Sequence, residues 1–244
     1  MIALLKKEIN SFLSSVIGYV VITVFLVVIG LFLWVLPDTD FNILQNGYAN
    51  LDSLFIMAPW VFMFLIPAIT MRSFAEENKT GTIELLLTRP LSDVQIVLAK
   101  YSAGVLLVLF SLIPTLIYFI IVYNLASPSG NVDTGGIIGS YIGLFFLGSG
   151  FVSIGLFASS LSNNQIISFL LAVIITFLFH VGFDFLSSLT PAAGINYILS
   201  QTGINAHYAS VSRGVIDTRD AVYFITLSGF FLLLSKFILE KRKW

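Results

Sequence analysis

The 244-residue sequence has no cysteine, only two histidines and few charges, since Asp, Glu, Lys and Arg together make up 10% of it. Without cysteine the chain has no disulfide framework, no thiolate metal site and no cysteine nucleophile. The net charge of −1, with no basic stripe away from the apolar runs, gives no reason to expect nucleic acid as a partner. No paired acid and base carboxylates or Ser/His/Asp arrangement is visible, so we predict a non-catalytic protein without a metal or cofactor.

Apolar residues dominate instead, at 57% of the chain. A soluble domain keeps roughly a quarter of its residues charged, so this composition indicates an all-α membrane protein, here a single transmembrane domain over residues 1–244. A helix needs roughly 20 apolar residues to cross the hydrocarbon core of a bilayer. Six predicted spanning helices meet this requirement: Val16–Leu36, Leu54–Met71, Ile96–Tyr123, Gly136–Ser160, Ile166–Leu189 and Ala221–Glu240.

The segment before the first span is amphipathic. Ile2, Leu5, Ile9 and Phe12 recur at helical spacing, and the charged residues lie largely on the other side. This pattern predicts a helix that lies in the membrane interface with its apolar face toward lipid. The alternative is a charged leader to the first span.

The distribution of Lys and Arg predicts the orientation of the chain. Cytoplasmic loops of membrane proteins are enriched in these residues. With a cytoplasmic N-terminus, the outer segments contain only Arg213 and Arg219 of the 12 basic residues. The inner segments contain the others, which are Lys6, Lys7, Arg72, Lys79, Arg89, Lys100, Lys236, Lys241, Arg242 and Lys243. Both termini are therefore predicted to be cytoplasmic.

The connection between the second and third spans, RSFAEENKTGTIELLLTRPLSD, is unusually rich in charge. Gly81 and Pro90 bracket a predicted helix of about two turns, Thr82–Arg89, because Pro disfavours helix for the residue before it. Ser92 and Gln95 fit a capping box that starts the third span. The apolar run Leu85–Leu87 must cover some surface, which suggests docking; the alternative is a short helix with a solvated face.

This connection resembles the segment that follows the second transmembrane helix in ABC-2 type permeases, the membrane subunits of a class of ABC exporters. The resemblance rests on Glu76, Gly81, Thr82, Glu84, Leu86, Leu87, Pro90, Leu91 and Ser92. A second stretch, Ser212 to Phe224, is similar to the sequence that enters the last helix in the gliding-motility branch of the family. The resemblance implies a multi-pass protein of the bacterial inner membrane, with an ABC-2 or type V exporter-like fold.

The resemblance also implies that the connection is a coupling helix that inserts into a separate ATP-binding subunit. The implied coupling residues are Glu76, Glu77, Gly81, Thr82, Glu84, Leu85, Leu86, Leu87, Arg89 and Pro90. No G-x-x-x-x-G-K-[ST] phosphate loop occurs in the chain, which agrees with ATP hydrolysis in a partner. The implied partners are membrane lipid, a GldA-like ATP-binding subunit, and a GldG-like membrane subunit or a second copy of the chain.

His180 and Asp184 stand four residues apart within the predicted fifth span. Ionisable residues at membrane depth usually face a cavity or one another, so the pair is either a polar point on a transport path or a mutually satisfied packing contact. A proton site here would make the chain an ion-coupled secondary transporter, which is one alternative function. Another is a scaffold of a motility or secretion complex that transports nothing.

Two further patterns concern packing. Gly135, Gly139 and Gly143, extended by later glycines, predict close helix approach along the fourth span, within the chain or across a dimer. The long connection before the sixth span contains apolar patches, and we expect it to form short re-entrant helices, as ABC-2 permeases do. Asp217 is expected to cap the sixth span.

Overall fold

The computed structural model of the protein describes residues 1–37, 39–45, 47–83, 92–190 and 193–241. Within these ranges the chain is helical and contains no β-strand. The helices in chain order are α1 (Ile2–Leu13), α2 (Val16–Gly30), α3 (Asp52–Thr70), α4 (Arg72–Thr80), α5 (Asp93–Leu112), α6 (Leu116–Leu125), α7 (Thr134–Leu161), α8 (Gln165–Phe177), α9 (Phe183–Leu189), α10 (Ala193–Thr202), α11 (Ile204–Val211) and α12 (Thr218–Lys241).

Six helical segments in the described ranges are long and apolar enough to cross a membrane, which confirms the predicted fold class. They are Gly18–Val35, Asp52–Thr80, Asp93–Leu125, Thr134–Leu161, Gln165–Leu189 and Thr218–Lys241. Most of α7 and of the α3–α4 span is buried, whereas no more than a third of each other span is buried. The α3–α4 span and α7 therefore form the centre of the bundle.

Several spans contain a turn that is not α-helical. A π-helical turn, Leu31–Val35, extends α2, and another, Leu178–Gly182, joins α8 to α9. A 3₁₀ turn at Ile113–Thr115 separates α5 from α6. Pro114 explains this break, because its ring leaves no backbone N–H for the helical ladder.

The second span does not end at Met71, where the sequence predicted its end, but continues after this single residue as α4. Ser159 of α7 stabilises the junction: its hydroxyl accepts hydrogen bonds from the N–H groups of Phe74 (3.0 Å) and Ala75 (3.1 Å) and donates to the carbonyl of Met71 (3.0 Å). A side chain inserted into the backbone ladder is a known cause of helix kinks. The predicted connection therefore begins as a helix that α7 holds in place.

Glycines of α7 allow close packing within the chain. A Cβ on Gly155 would overlap the Thr70 hydroxyl of α3, and a Cβ on Gly139 would lie 2.5 Å from the carbonyl oxygen of Gly214. Gly214 has a φ of +83°, which favours glycine on conformational grounds as well. The small residues of α7 thus serve intrachain contacts, one of the two arrangements that the sequence predicted.

Aromatic contacts show that α7 and α12 run in the same direction. Phe146 lies against Phe224, and further along both helices Phe157 lies against Phe231. The bundle therefore has two distinct ends. We call the end where α1, α4, the start of α5 and the end of α7 meet the charged end, and the other the opposite end.

The short helices α10 and α11 occupy the connection between the fifth and sixth spans, where the sequence predicted such helices. The Tyr208 hydroxyl of α11 donates to the carbonyl of Phe55 in α3 at 2.7 Å, and burial raises the pKa of Tyr208. Asp217 caps α12 as predicted, since it accepts the N–H of Arg219 at 2.9 Å. This hydrogen bond lowers the pKa of the exposed Asp217 carboxyl.

Candidate functional site

Four side chains of alternating charge form a closed ring at the charged end. Lys100 Nζ lies 2.9 Å from Glu8 Oε1 and 3.0 Å from Glu77 Oε2. Lys7 Nζ lies 3.1 Å from Glu77 Oε1 and 4.0 Å from Glu8 Oε1. The ring is neutral overall and joins α1, α4 and α5. We refer to Lys7, Glu8, Glu77 and Lys100 as the ion-pair ring.

Lys100 is the buried centre of this arrangement, with no exposed side-chain surface. Its ammonium also donates to the carbonyl of Ser73 at 2.7 Å and lies 5.1 Å from the ring centre of Phe74. A buried ammonium is tolerated only where its charge and its donors are matched. Two carboxylates, a carbonyl and an aromatic face meet this requirement.

Local structure explains how three helices reach one point. Ser92 and Gln95 form the predicted capping box, which fixes the first turn of α5 and places Lys100 two turns further along. The Ser159 contact fixes the start of α4 and therefore the direction of Glu77. On α1, Leu4 is buried one turn before Glu8, so this side of the helix packs on the bundle.

A cavity of about 330 Å³ lies beside the ion-pair ring, between α1, α4 and α5. Its polar wall includes Arg72 and Glu76, which pair at 3.0 Å across one turn of α4. Its apolar wall includes Phe12, Gly104 and Leu156. Since each charge of the wall is already paired, the cavity shows no preference for an anion or a cation.

The structure gives the predicted coupling residues different environments. Glu76 is partly exposed and can reach a partner, whereas Glu77 is buried within the ion-pair ring. An exposed contact from Glu77 to another subunit does not fit this geometry, because its carboxylate is committed to Lys100 and Lys7. Gly81 ends α4 with a φ of +70°, and no atom crowds it, so its left-handed conformation is what requires glycine.

The other predicted coupling residues come after Gly81 in the sequence. The Thr82 hydroxyl lies 2.9 Å from that of Thr80, at the start of the predicted coupling helix. Other predicted members lie outside the described residues: Glu84, Leu85, Leu86, Leu87, Arg89 and Pro90. The chain enters this segment from the Gly81 turn and leaves it at the Ser92 cap, and both anchors belong to the charged end.

His180 and Asp184 lie near the opposite end, but no hydrogen bond joins them. His180 is buried between Trp60 and Phe151, and its Nδ1 has no hydrogen-bond partner among the described residues. Asp184 instead accepts a hydrogen bond from the side chain of Asn205 at 2.7 Å. Both line a cavity of about 510 Å³ between α3, α9 and α11. The packing interpretation of the pair therefore needs a correction, since α11 supplies the partner of Asp184.

Sequence reasoning missed the role of Lys100 and the whole environment of His207. The charge pattern identifies Lys100 only as an inner basic residue, although a lysine so far into an apolar helix requires carboxylate partners. For His207 the only available signal was an isolated histidine in a long connection. Its partner, Asp220, lies 13 residues away on another helix, which no local pattern reveals.

Comparison with known families identifies one match. A family model described as ABC-2 family transporter protein matches residues 35–201, which is more than half of the chain. The matched part begins at the end of the first span and reaches into α10, so it includes the charged connection. Comparison with individually curated proteins found no match.

Proposed function

The chain belongs to the ABC-2 family of transporter proteins and is a membrane permease of an ABC transporter, and we propose that its charged end couples a separate ATP-binding subunit to movement of the bundle. The observation that carries this proposal is the ion-pair ring. It ties α4, which leads into segment 84–91, to α5, which leaves that segment, and to α1. A push on the segment would therefore reach three helices together.

The proposed docking element is the predicted helix Thr82–Arg89. Glu76 lies on the exposed surface of the preceding helix, and Glu84 and Arg89 add charge on either side of Leu85–Leu87. Apolar residues between charges are suited to a cleft on another protein, with the leucines buried and the charges at the rim. Glu77 has a different role, because it is buried and holds α4 in place.

The ATP-binding subunit is expected on the cytoplasmic side of a bacterial inner membrane, with both chain termini on that side. The basic residues at the charged end support this orientation. Similarity of the Ser212–Phe224 stretch to the gliding-motility permease GldF supports a role in gliding motility, as transport or as force transmission. A GldA-like ATPase would then be the partner, together with a GldG-like membrane subunit or a second copy of this chain.

The proposal is tested by purifying the complex from its native membrane and measuring ATP hydrolysis with wild type and with Glu84→Ala. We expect an ATPase to co-purify, and we expect the substitution to lower hydrolysis or the amount of bound ATPase. Asp40→Ala is the matched control, because it removes an exposed carboxylate at the opposite end and should change neither.

Two outcomes would contradict the proposal. Absence of any co-purifying ATPase would exclude the coupled permease. Undiminished ATPase binding and turnover in both Glu84→Ala and Leu86→Asp would exclude docking through this segment. ATP turnover that never moves a substrate would favour the scaffold instead.

A further inference from the structure

A second polar cluster lies at the opposite end, where α10, α11 and α12 meet. His207 of α11 places Nδ1 2.8 Å from Asp220 Oδ1 of α12 and Nε2 3.0 Å from the carbonyl oxygen of Gln201 in α10. The side chains of His207 and Asp220 are only 12% and 11% exposed. One imidazole ring therefore bridges three helices in a largely buried setting.

Both partners of the imidazole can only accept hydrogen bonds. A carbonyl oxygen has no proton, and the carboxylate of Asp220 already receives a hydrogen bond from the hydroxyl of Ser210. A neutral histidine donates from one nitrogen only, whereas the imidazolium donates from both. The cluster is therefore complete only when His207 carries two protons and a positive charge.

The neighbouring groups agree with a charged ring. Tyr223 of α12 stacks on the imidazole with ring centres 3.9 Å apart, and its hydroxyl donates to the carbonyl of Thr202 in α10 at 2.7 Å. An aromatic face next to a cation is favourable. From α9, Asp184 reaches α11 through Asn205, two residues before His207. Asp220 is the carboxylate in direct contact.

The cluster is not a nucleophilic triad, although it contains a serine, a histidine and an aspartate. The Ser210 hydroxyl donates to Asp220 and not to the imidazole, and both nitrogens of His207 are engaged elsewhere. The imidazole is therefore not placed to take the serine proton, as the base of a triad must be. The chemistry that the arrangement supports is reversible protonation, which makes or breaks contacts between helices.

We propose that His207 is a proton-operated clamp that fastens α10 and α11 to the start of α12 at the opposite end of the bundle. In acid the ring donates to Asp220 and Gln201 together. In alkali it loses one proton and one of these contacts, and the link between α10 and α12 is weakened to the hydrogen bond from Tyr223 to the carbonyl of Thr202. The geometry of this end of the permease thus depends on the pH of the compartment that it faces.

The clamp is tested by measuring the distance between α10 and α12 at two pH values in the full-length chain, reconstituted in phosphatidylethanolamine and phosphatidylglycerol nanodiscs. The chain has no cysteine, so Tyr197→Cys and Val222→Cys introduce the only two thiols for spin labels. Both positions are exposed, at 65% and 61%. We expect a narrow distance distribution at pH 6 and a wider or shifted one at pH 9.

His207→Phe keeps a ring that can stack on Tyr223 but has no donor, so the distribution should stay wide at both pH values. His180→Phe is the matched control, since it removes the only other histidine and should leave the response intact. A response that persists in His207→Phe, or that is absent from the wild type, would refute the clamp.

A second measurement does not depend on the fold of the His207 variant. In the His180→Phe chain, ¹⁵N-labelled histidine reports on His207 alone. We expect both ring nitrogens to carry protons at pH 6 and one of them to be deprotonated at pH 9. A ring that is neutral at pH 6 would overturn the proposal.

Discussion

Lys100 shows how a single residue constrains the charged end. An ammonium removed from water costs several kcal/mol unless carboxylates and hydrogen bonds replace its hydration. Here Glu8 and Glu77 supply the charge, and Ser73 supplies a carbonyl. The three helices cannot separate at this point without exposing an unpaired buried charge.

Replacing Lys100 with Met should therefore be costly. The change leaves Glu8 and Glu77 with only the mostly exposed Lys7 as a cation between them, and we expect a loss of about 3–5 kcal/mol in the free energy of unfolding. Unfolding in mixed micelles measures this loss. The double variant with Glu77→Gln should recover part of it, because one of the two facing charges is removed.

Lys236→Met provides the control for that measurement. Lys236 pairs with Glu240 one turn along α12 and is partly exposed, so its removal should cost about 0.5 kcal/mol or less. Equal losses in the two variants would mean that the ion-pair ring does not stabilise the fold.

A substitution of Asp184 distinguishes an ATP-driven from an ion-coupled transporter. Asp184→Asn keeps a carbonyl that can accept the hydrogen bond of Asn205 but cannot carry a proton in transport. Under the proposed function, we expect ATP hydrolysis by the complex and ATP-dependent transport to remain close to wild type. Gradient-driven transport that the variant abolishes would instead support the ion-coupled alternative.

At the scale of helices, sequence patterns predicted most of what was found. Apolar length predicted the six spans, and amphipathic spacing predicted α1. The capping box at Ser92 was readable because its residues lie within four positions of each other. The continuation of α3 into α4 could not be predicted from the sequence. It depends on the Ser159 hydroxyl of α7, which lies 85 residues further along the chain than Phe74.

The same distinction applies to the candidate sites. The charged connection could be identified because it contrasts with its apolar surroundings. The ion-pair ring and the His207 cluster could not, because their members meet only after α1, α4 and α5, or α10, α11 and α12, have packed together. Hydrophobic pattern specifies which helices form, but it does not specify which buried polar groups will face each other.

The contact between α3 and α7 provides a prediction at this scale. In Gly155→Ala the new methyl group would overlap Thr70, and because both helices are central we expect destabilisation by about 1–3 kcal/mol. Gly229→Ala is the matched control, since no atom lies within 4 Å of the position of its Cβ. That change in α12 should be neutral or stabilise by up to about 1 kcal/mol, because Ala is the better helix former.

Thermal unfolding of the two variants side by side measures this difference. If Gly155→Ala were as stable as Gly229→Ala, α7 could move away from α3 at little cost. The close approach would then not contribute to the stability of the bundle.

The orientation of the whole molecule across the membrane can be measured in a labelling experiment. Lys6 on α1 is exposed at the charged end, and Tyr48 is 77% exposed in the connection between the first and second spans. With the charged end in the cytoplasm, an impermeant maleimide added to intact cells should label Tyr48→Cys but not Lys6→Cys. Both should react after the membrane is opened. The reverse pattern would invert the orientation and place the proposed ATPase site on the wrong side.

The Ser159 hydroxyl holds the first turn of α4 against α7, so a movement of α4 pivots about this contact. From the amides of Phe74 and Ala75 to Gly81 the arm is about 10 Å at 1.5 Å per residue, and Glu77 stands less than halfway along it. A swing of about 10° would carry the Gly81 tip roughly 2 Å but the Glu77 position only about 1 Å. An ion pair at 3.0 Å tolerates little more than that. Under the proposed coupling, small movements of α4 leave these ion pairs intact, and larger ones must move α5 and α1 with it.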